Sequence, residues 1–352
     1  MLKFNGIWPK SEEYYKFSGY FCYQLYYQIA LSVHFFSNLI EIIFCKGDFN
    51  DKLLSAVLFP EYFICLIKRQ VHSMKWKTVV AILKDLNREE LQPRNAKQME
   101  IFNNAFKLWT LSFNLFFSMQ YIVSFFFLFQ PYFTDSRSRG KLIFPSWYPV
   151  DVSKFPFYDI VHFYQMYAIF LAAMSTICLD SFCGALMTYV AAECDILCDT
   201  LENLYEETKG KVDQTLSPKI DYELEILQRL NDTLNECVIH HKIILRLSRK
   251  VSDYLNLMVM SQCFVYVSFA SFALFALTVV QSETSKFIMG MSLLLSFIQL
   301  FQYCWMGNEV LVKVSSFIPV IVRPISIYNT LTVLDSPQMI QSVLHILLKM
   351  KR

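Results

Sequence analysis

Charge is in short supply along this chain. Asp, Glu, Lys and Arg make up 18% of its 352 residues, against about 25% in a soluble domain, so the polar surface needed to cover a water-facing core is missing. Apolar residues take its place: 55% are hydrophobic and 16% aromatic, a surplus suited to lipid. A strong net charge is missing too, and at +2 the chain lacks the basic footprint of a nucleic-acid binder. No Gly-rich phosphate loop, nucleophile elbow or zinc-protease signature occurs, so no enzyme class and no cofactor is indicated. The opening, Met1 to Tyr20, has no basic-then-apolar leader with a small-residue cleavage site, so the first apolar run is expected to direct insertion itself. Ten cysteines are present, yet none lies in the long loop Gln130 to Tyr158. A disulfide framework is therefore not expected, and most cysteines read as buried small apolar residues.

The uncharged runs are what remains. A helix needs about 20 mostly apolar residues to cross the hydrocarbon core. Phe17 to Ile40, Leu108 to Thr134, Ile160 to Leu179 (apolar again after Asp180 through Ala192), Tyr254 to Ser282 and Phe287 to Asn308 qualify. Leu53 to Ile67 is shorter and is interrupted by Pro60 and Glu61. Counting it as a span makes the loop charges alternate. The fold class is then all-α: a polytopic membrane bundle with six spans, cytosolic helical extensions and an atypical tail.

Lys and Arg number nine between Lys68 and Lys107 and eight between Lys209 and Lys250, while the loop before Phe287 has Lys286 alone. In total, 25 of the 32 basic residues fall on the side of the amino end. By the positive-inside rule that side is cytosolic, the reverse of a G-protein-coupled receptor. The sequon Asn231-Asp232-Thr233 falls on the same side, where it would not be glycosylated.

The cytosolic region, residues 194–251, is polar but patterned. Leu224, Leu227, Leu230, Leu234 and Val238 recur at three- and four-residue steps, one apolar stripe on a helix. Glu202, Glu206 and Glu207 are expected to face solvent on a preceding helix, and Gly210 and Pro218 to separate the two. Spans four and five are thus expected to extend into the cytosol and pack there.

Two local motifs stand out: Cys237-x-x-His240-His241-x-x-Ile244-Leu245 before the fifth span, and Tyr303-Cys304-x-x-Gly307-Asn308-Glu309 after the sixth. With the opening Gly6-Ile7-Trp8-Pro9 and the inverted orientation, residues 1–312 resemble the insect odorant receptor family. The resemblance implies a subunit of an odorant-gated cation channel in the cell membrane of sensory neurons, assembled with a shared co-receptor. It implies a pocket for small volatile ligands in the outer half of the bundle, a pore lined by a last span, and an assembly region near Cys237, His240, His241, Tyr303, Cys304 and Gly307.

Residues 313–352 depart from that pattern. Pro319 and Pro324 are expected to break helix, and the longest uncharged run, Ser336 to Leu348, ends at Lys349, Lys351 and Arg352. The tail therefore reads as cytosolic or interfacial, and a truncated, non-conducting interaction protein is the second reading of the chain.

Volatile ligands need apolar cavities with few polar groups. Tyr121, Phe125 and Phe126 in the third span and Tyr164, Tyr167 and Phe170 in the fourth are the pocket candidates, although most such residues would face lipid or neighbouring helices. Cys237 and His240 share a helix face, but two ligands do not make a metal site, so no metal is expected. Charge inside lipid costs about 2.5–3.5 kcal/mol on insertion scales. Asp180 is accordingly expected to face the bundle interior, and Glu41 and Glu193 to sit near an interface. His34 and His162 are expected to make interhelical hydrogen bonds.

Overall fold

Where water cannot satisfy the backbone, the helix is the structure that pairs every N–H and C=O within one segment. All regular structure among the described residues is helical. The computed structural model describes residues 2–3, 5–9, 19–44, 49–133, 142, 144–204, 208, 219–280 and 283–331. The helices are α1 (Gly19–Phe44), α2 (Phe49–Met74), α3 (Trp76–Leu86), α4 (Ala96–Phe133), α5 (Phe157–Glu202), α6 (Lys219–Val279) and α7 (Glu283–Leu331), with one 3-10 turn at Glu89–Leu91.

Four of them carry stretches long and apolar enough to cross a membrane: Gly19–Phe44, Phe157–Glu202, Gln228–Val279 and Met289–Val314. The other two expected spans fall in α2 and α4, which do not reach that combined length and hydropathy among the described residues. Helices α5 and α6 have 46 and 61 residues. At about 1.5 Å per residue, α6 is roughly three times as long as a 30 Å hydrocarbon core is thick, so it must continue well beyond lipid. The expectation that spans four and five run on as helices agrees with these lengths.

The tail differs from expectation. The backbone of α7 continues through Pro319 and Pro324 to Leu331. A proline deletes one N–H donor and bends a helix, but neighbouring groups can take up the freed carbonyl and the helix persists. The expected break at Gly210 and Pro218, the residues Glu206 and Glu207, and the tail beyond Leu331 lie outside the described residues.

The chain divides into two compact units. Unit one is Met1–Val80, Thr110–Gly184 and Asp253–Cys304. One of its cores gathers Tyr27, Leu31, Tyr62, Phe116, Leu171 and Leu295, and a second gathers Val57, Phe269, Ala273, Ala276 and Met289. Much of its outer surface is apolar, with Ile29, Phe36, Ile122, Phe264, Val267 and Phe301 all exposed. Water would penalise that surface and lipid does not, and the chain is a multi-pass membrane protein.

The amino-terminal residues dock into unit one. Ile7 and Asn5 are buried. Arg69 donates from Nη1 to the Asn5 carbonyl (2.9 Å) and to Ser175 Oγ (3.1 Å), and Tyr27 donates to Asn5 Oδ1 (2.8 Å). Trp8 sets its edge against Trp76, with ring centroids 5.2 Å apart. Gly6 makes the turn at φ 61°, and a Cβ there would lie 3.4 Å from the backbone of Gln24. A side chain would therefore meet both left-handed strain and crowding.

Unit two is Ala81–Trp109, Ala185–Ser252 and Trp305–Arg352. Leu91, Leu197, Leu201, Leu230, Val238 and Leu247 are buried in it. Leu230 and Val238 belong to the expected stripe. Leu234 is half-buried, and the side chains of Leu224 and Leu227 lie outside those described.

Candidate functional site

Unit one contains a cavity of about 120 Å³. Helices α2, α4, α5 and α7 bound it, together with Phe144. Its walls are mostly apolar: Tyr62, Phe116, Val123, Ile169, Ala172, Ile177 and Leu295. Polar groups reach it from Glu61, Gln120, Thr176, Ser292, Ser296 and Gln299. The helical spacing explains the set. Phe116, Gln120 and Val123 are three and four residues apart on α4, and Ser292, Ser296 and Gln299 repeat that spacing on α7, so each helix presents one face.

Beside the cavity lies a buried polar cluster. Lys68, fully buried, places Nζ 2.5 Å from Asp180 Oδ1. Tyr303 donates to the same oxygen at 2.6 Å, and the Gln299 amide donates to Asp180 Oδ2. Asp180 therefore faces the interior, and its charge is met by a cation and two further donors, the condition under which a buried ion pair is tolerated. Gln299 belongs to both places, with its side chain at the cavity wall and its amide on Asp180. His34 is buried between Asn38 Nδ2 and the Tyr148 hydroxyl, each 3.2 Å away. Burial raises the Tyr148 pKa. His162 is buried too and lies parallel to Tyr158, with ring centroids 6.1 Å apart.

None of the six aromatic pocket candidates lines the cavity. Tyr121, Tyr167 and Phe170 are exposed, and Phe125 is 65% exposed. Tyr164 is half-buried, with its hydroxyl on the Ala30 carbonyl at 2.9 Å. The side chain of Phe126 lies outside those described. The helices are those expected, but the cavity opens on another face of each. Lipid accepts aromatic rings as readily as a pocket does, so aromatic density does not separate the two.

Glu61, Lys68, Ser296 and Gln299 were the residues sequence reasoning passed over. Glu61 counted only as an interruption of a weak apolar run. An acid inside such a run is itself a sign of a cavity or a partner.

Unit two holds a groove of about 520 Å³ lined by Arg94, Gln98, Thr200, Glu236, Cys237 and His240, among others. His240 Nε2 is 3.0 Å from Glu193 Oε2, and Glu193 is buried. Glu193 thus sits inside unit two and Glu41 is half-buried. Cys237 is buried and His241 half-buried. Among the described residues no cluster of three or more His, Cys, Asp or Glu could hold a metal ion. Tyr303 is engaged with Asp180 in unit one, whereas Cys304 is exposed, and a Cβ at Gly307 would meet nothing beyond its own helix. Nine of the ten cysteines are described. Cys65, Cys178, Cys183, Cys194 and Cys237 are buried, and Cys22, Cys263 and Cys304 are exposed.

Three comparisons bear on this arrangement. The model of the family described as 7tm Odorant receptor matches residues 48–319. The chain is 22% identical over 332 residues to odorant receptor Or1 of Anopheles gambiae, covering 88% of this chain and 76% of that one. The structure of the insect olfactory receptor OR5 from Machilis hrabei superimposes with a TM-score of 0.77 at 14% identity, over 100% of this chain and 86% of the other. The same receptor in complex with eugenol gives a TM-score of 0.67 at 14% identity, covering 100% and 87%.

Proposed function

The chain belongs to the 7tm odorant receptor family, and on that footing we propose that it is the odorant-binding subunit of a heteromeric ligand-gated cation channel in the cell membrane of sensory neurons. Its amino end is cytosolic, as the distribution of Lys and Arg argues, and its partner is the shared co-receptor. The cavity of unit one carries the reading. It is small and mostly apolar, with a few polar groups, as a site for a volatile molecule requires. A relative of the same fold has been obtained with the small phenol eugenol bound.

Opening requires that the ligand bind the open state better than the closed one; equal affinity shifts nothing. Gln299 is placed to convert binding into rearrangement. A ligand that draws its amide into the cavity takes a donor from Asp180, and the Lys68 and Tyr303 contacts must then adjust. Gln299 and Tyr303 lie one turn apart on α7. An assembly region near Cys237, His240, His241, Tyr303, Cys304 and Gly307 belongs to the same role.

Co-expression with a co-receptor, followed by recording of odour-evoked current, tests the function. Current evoked by small volatiles is the expected outcome. Absence of current for every volatile, from protein shown to reach the surface, overturns the channel role. Odorant binding without current favours the non-conducting interaction protein.

A further inference from the structure

The apolar cavity of unit one ends at an acid that its surroundings leave largely unsatisfied. Ser296 Oγ is 3.0 Å from Glu61 Oε1 and 2.9 Å from the Ser292 carbonyl oxygen. A serine hydroxyl has one proton and can serve one of these acceptors at a time. A carboxylate offers about four lone-pair sites, yet among the described residues Ser296 is the one hydrogen-bond partner of Glu61. The neighbouring acid differs, because Asp180 is held by Lys68, Gln299 and Tyr303. The cation closest in sequence to Glu61 is thus already engaged, and an open acceptor faces the cavity. Glu61 is half-buried and lines the cavity, so a ligand that brings a donor adds a hydrogen bond to an oxygen it can reach.

We propose that this cavity selects volatiles with a hydrogen-bond-donating head, an alcohol or an amine, and that Glu61 is the acceptor that reads it. The inference rests on the odorant-binding reading above and names the ligand class of that site. The apolar body is limited by size: the cavity is about 120 Å³, near the roughly 150 Å³ that takes a benzene ring, so one ring with a short head is the upper limit. Gln120, on α4, can donate to the oxygen of a bound alcohol. An ether or a hydrocarbon of the same shape brings no proton for Glu61, and sites built around a hydrogen bond discriminate strongly against analogues that lack it.

Equilibrium binding to the purified full-length chain in detergent, measured by calorimetry, tests this with four probes on one frame: benzyl alcohol, benzylamine, benzyl methyl ether and toluene. At least one donor should bind about tenfold or more tightly than the ether and toluene. Glu61→Leu should erase that preference while toluene still binds. Benzylamine ahead of benzyl alcohol indicates an ionised acid, and the reverse order a neutral one; both support the donor class. The proposal is overturned if the ether or toluene matches both donors, if none of the four binds, or if the preference survives in Glu61→Leu. Should that variant not fold, Glu61→Gln must weaken the preference for donors, and the wild-type ranking alone remains decisive. Donor-selective binding without odour-evoked current would leave this inference standing and remove the channel function. Current evoked by volatiles that all lack a donor would do the reverse.

Discussion

Unit one holds a charged cluster buried on every side, beside exposed pairs such as Lys75–Asp253 and Lys154–Asp151, whereas most ion pairs of unit two reach water. In unit one, Lys68 and Asp180 are both buried and share a compact set of donors. In unit two most pairs have at least one water-accessible partner. Arg94 and Glu236 meet at 2.5 Å with side chains 53% and 57% exposed, and Lys97 reaches Asp199 and Lys250 reaches Asp85 from partly open positions. The same kind of contact therefore has different consequences. In a low-dielectric interior an unpaired ion is expensive, whereas at a wet surface water replaces the partner and salt screens what is left. A few charges in unit one should matter a great deal, and many in unit two should matter little.

The largest break in that comparison is Asp180→Asn. It leaves Lys68 buried without a counter-ion, a loss of about 3–5 kcal/mol. The variant should melt far below the wild type or fail to reach the surface, as read by thermal melting of the purified protein. Replacing both partners, Lys68→Met with Asp180→Leu, should recover most of that loss, because neither charge then remains. An Asp180→Asn variant that melts like the wild type would show that the buried cluster carries little energy.

Unit two has one pair that resembles the buried pair of unit one. His240 lies against Glu193, whose side chain is buried. His240→Ala removes that partner, and the expected cost is about 1–3 kcal/mol. The double variant with Glu193→Leu should lose less than His240→Ala alone, a comparison that thermal melting resolves. If His240→Ala is neutral, unit two is uniform and the contrast between units sharpens. If it is costly, the contrast follows burial and not the unit.

That distinction also explains which features were legible in the sequence. Uncharged runs and the crowding of Lys and Arg report on solvent, and they gave the helical membrane architecture without any knowledge of packing. Asp180 could be placed in the interior because an acid flanked by apolar residues has few alternatives. Which face of a helix meets a cavity depends on its neighbours. Tyr121 and Phe125 therefore looked as suitable as Phe116 and Val123, although only the latter two line the cavity. Glu61 and Gln299 were missed for a related reason. Their value lies in residues distant along the chain, Ser296 for one and Asp180 for the other. The persistence of α7 through Pro319 and Pro324 was hidden as well, since proline propensity is local and helix continuity is not.

The smallest expected effect makes the sharpest test of the comparison. Arg94 and Glu236 are 142 residues apart in sequence and bridge two segments of unit two, so their short contact looks structural. Both are more than half exposed, and exposed pairs contribute about 0–1 kcal/mol because side-chain entropy and solvent screening offset the attraction. A double-mutant cycle of Arg94→Ala and Glu236→Ala should give a coupling in that range, shrinking further as salt is raised. The same cycle on Lys68 and Asp180 should give a coupling several times larger and nearly independent of salt. Equal couplings, or equal salt dependence, would mean that water reaches both pairs alike. The apolar environment assigned to unit one would then fail where it matters most, at the cluster beside the cavity.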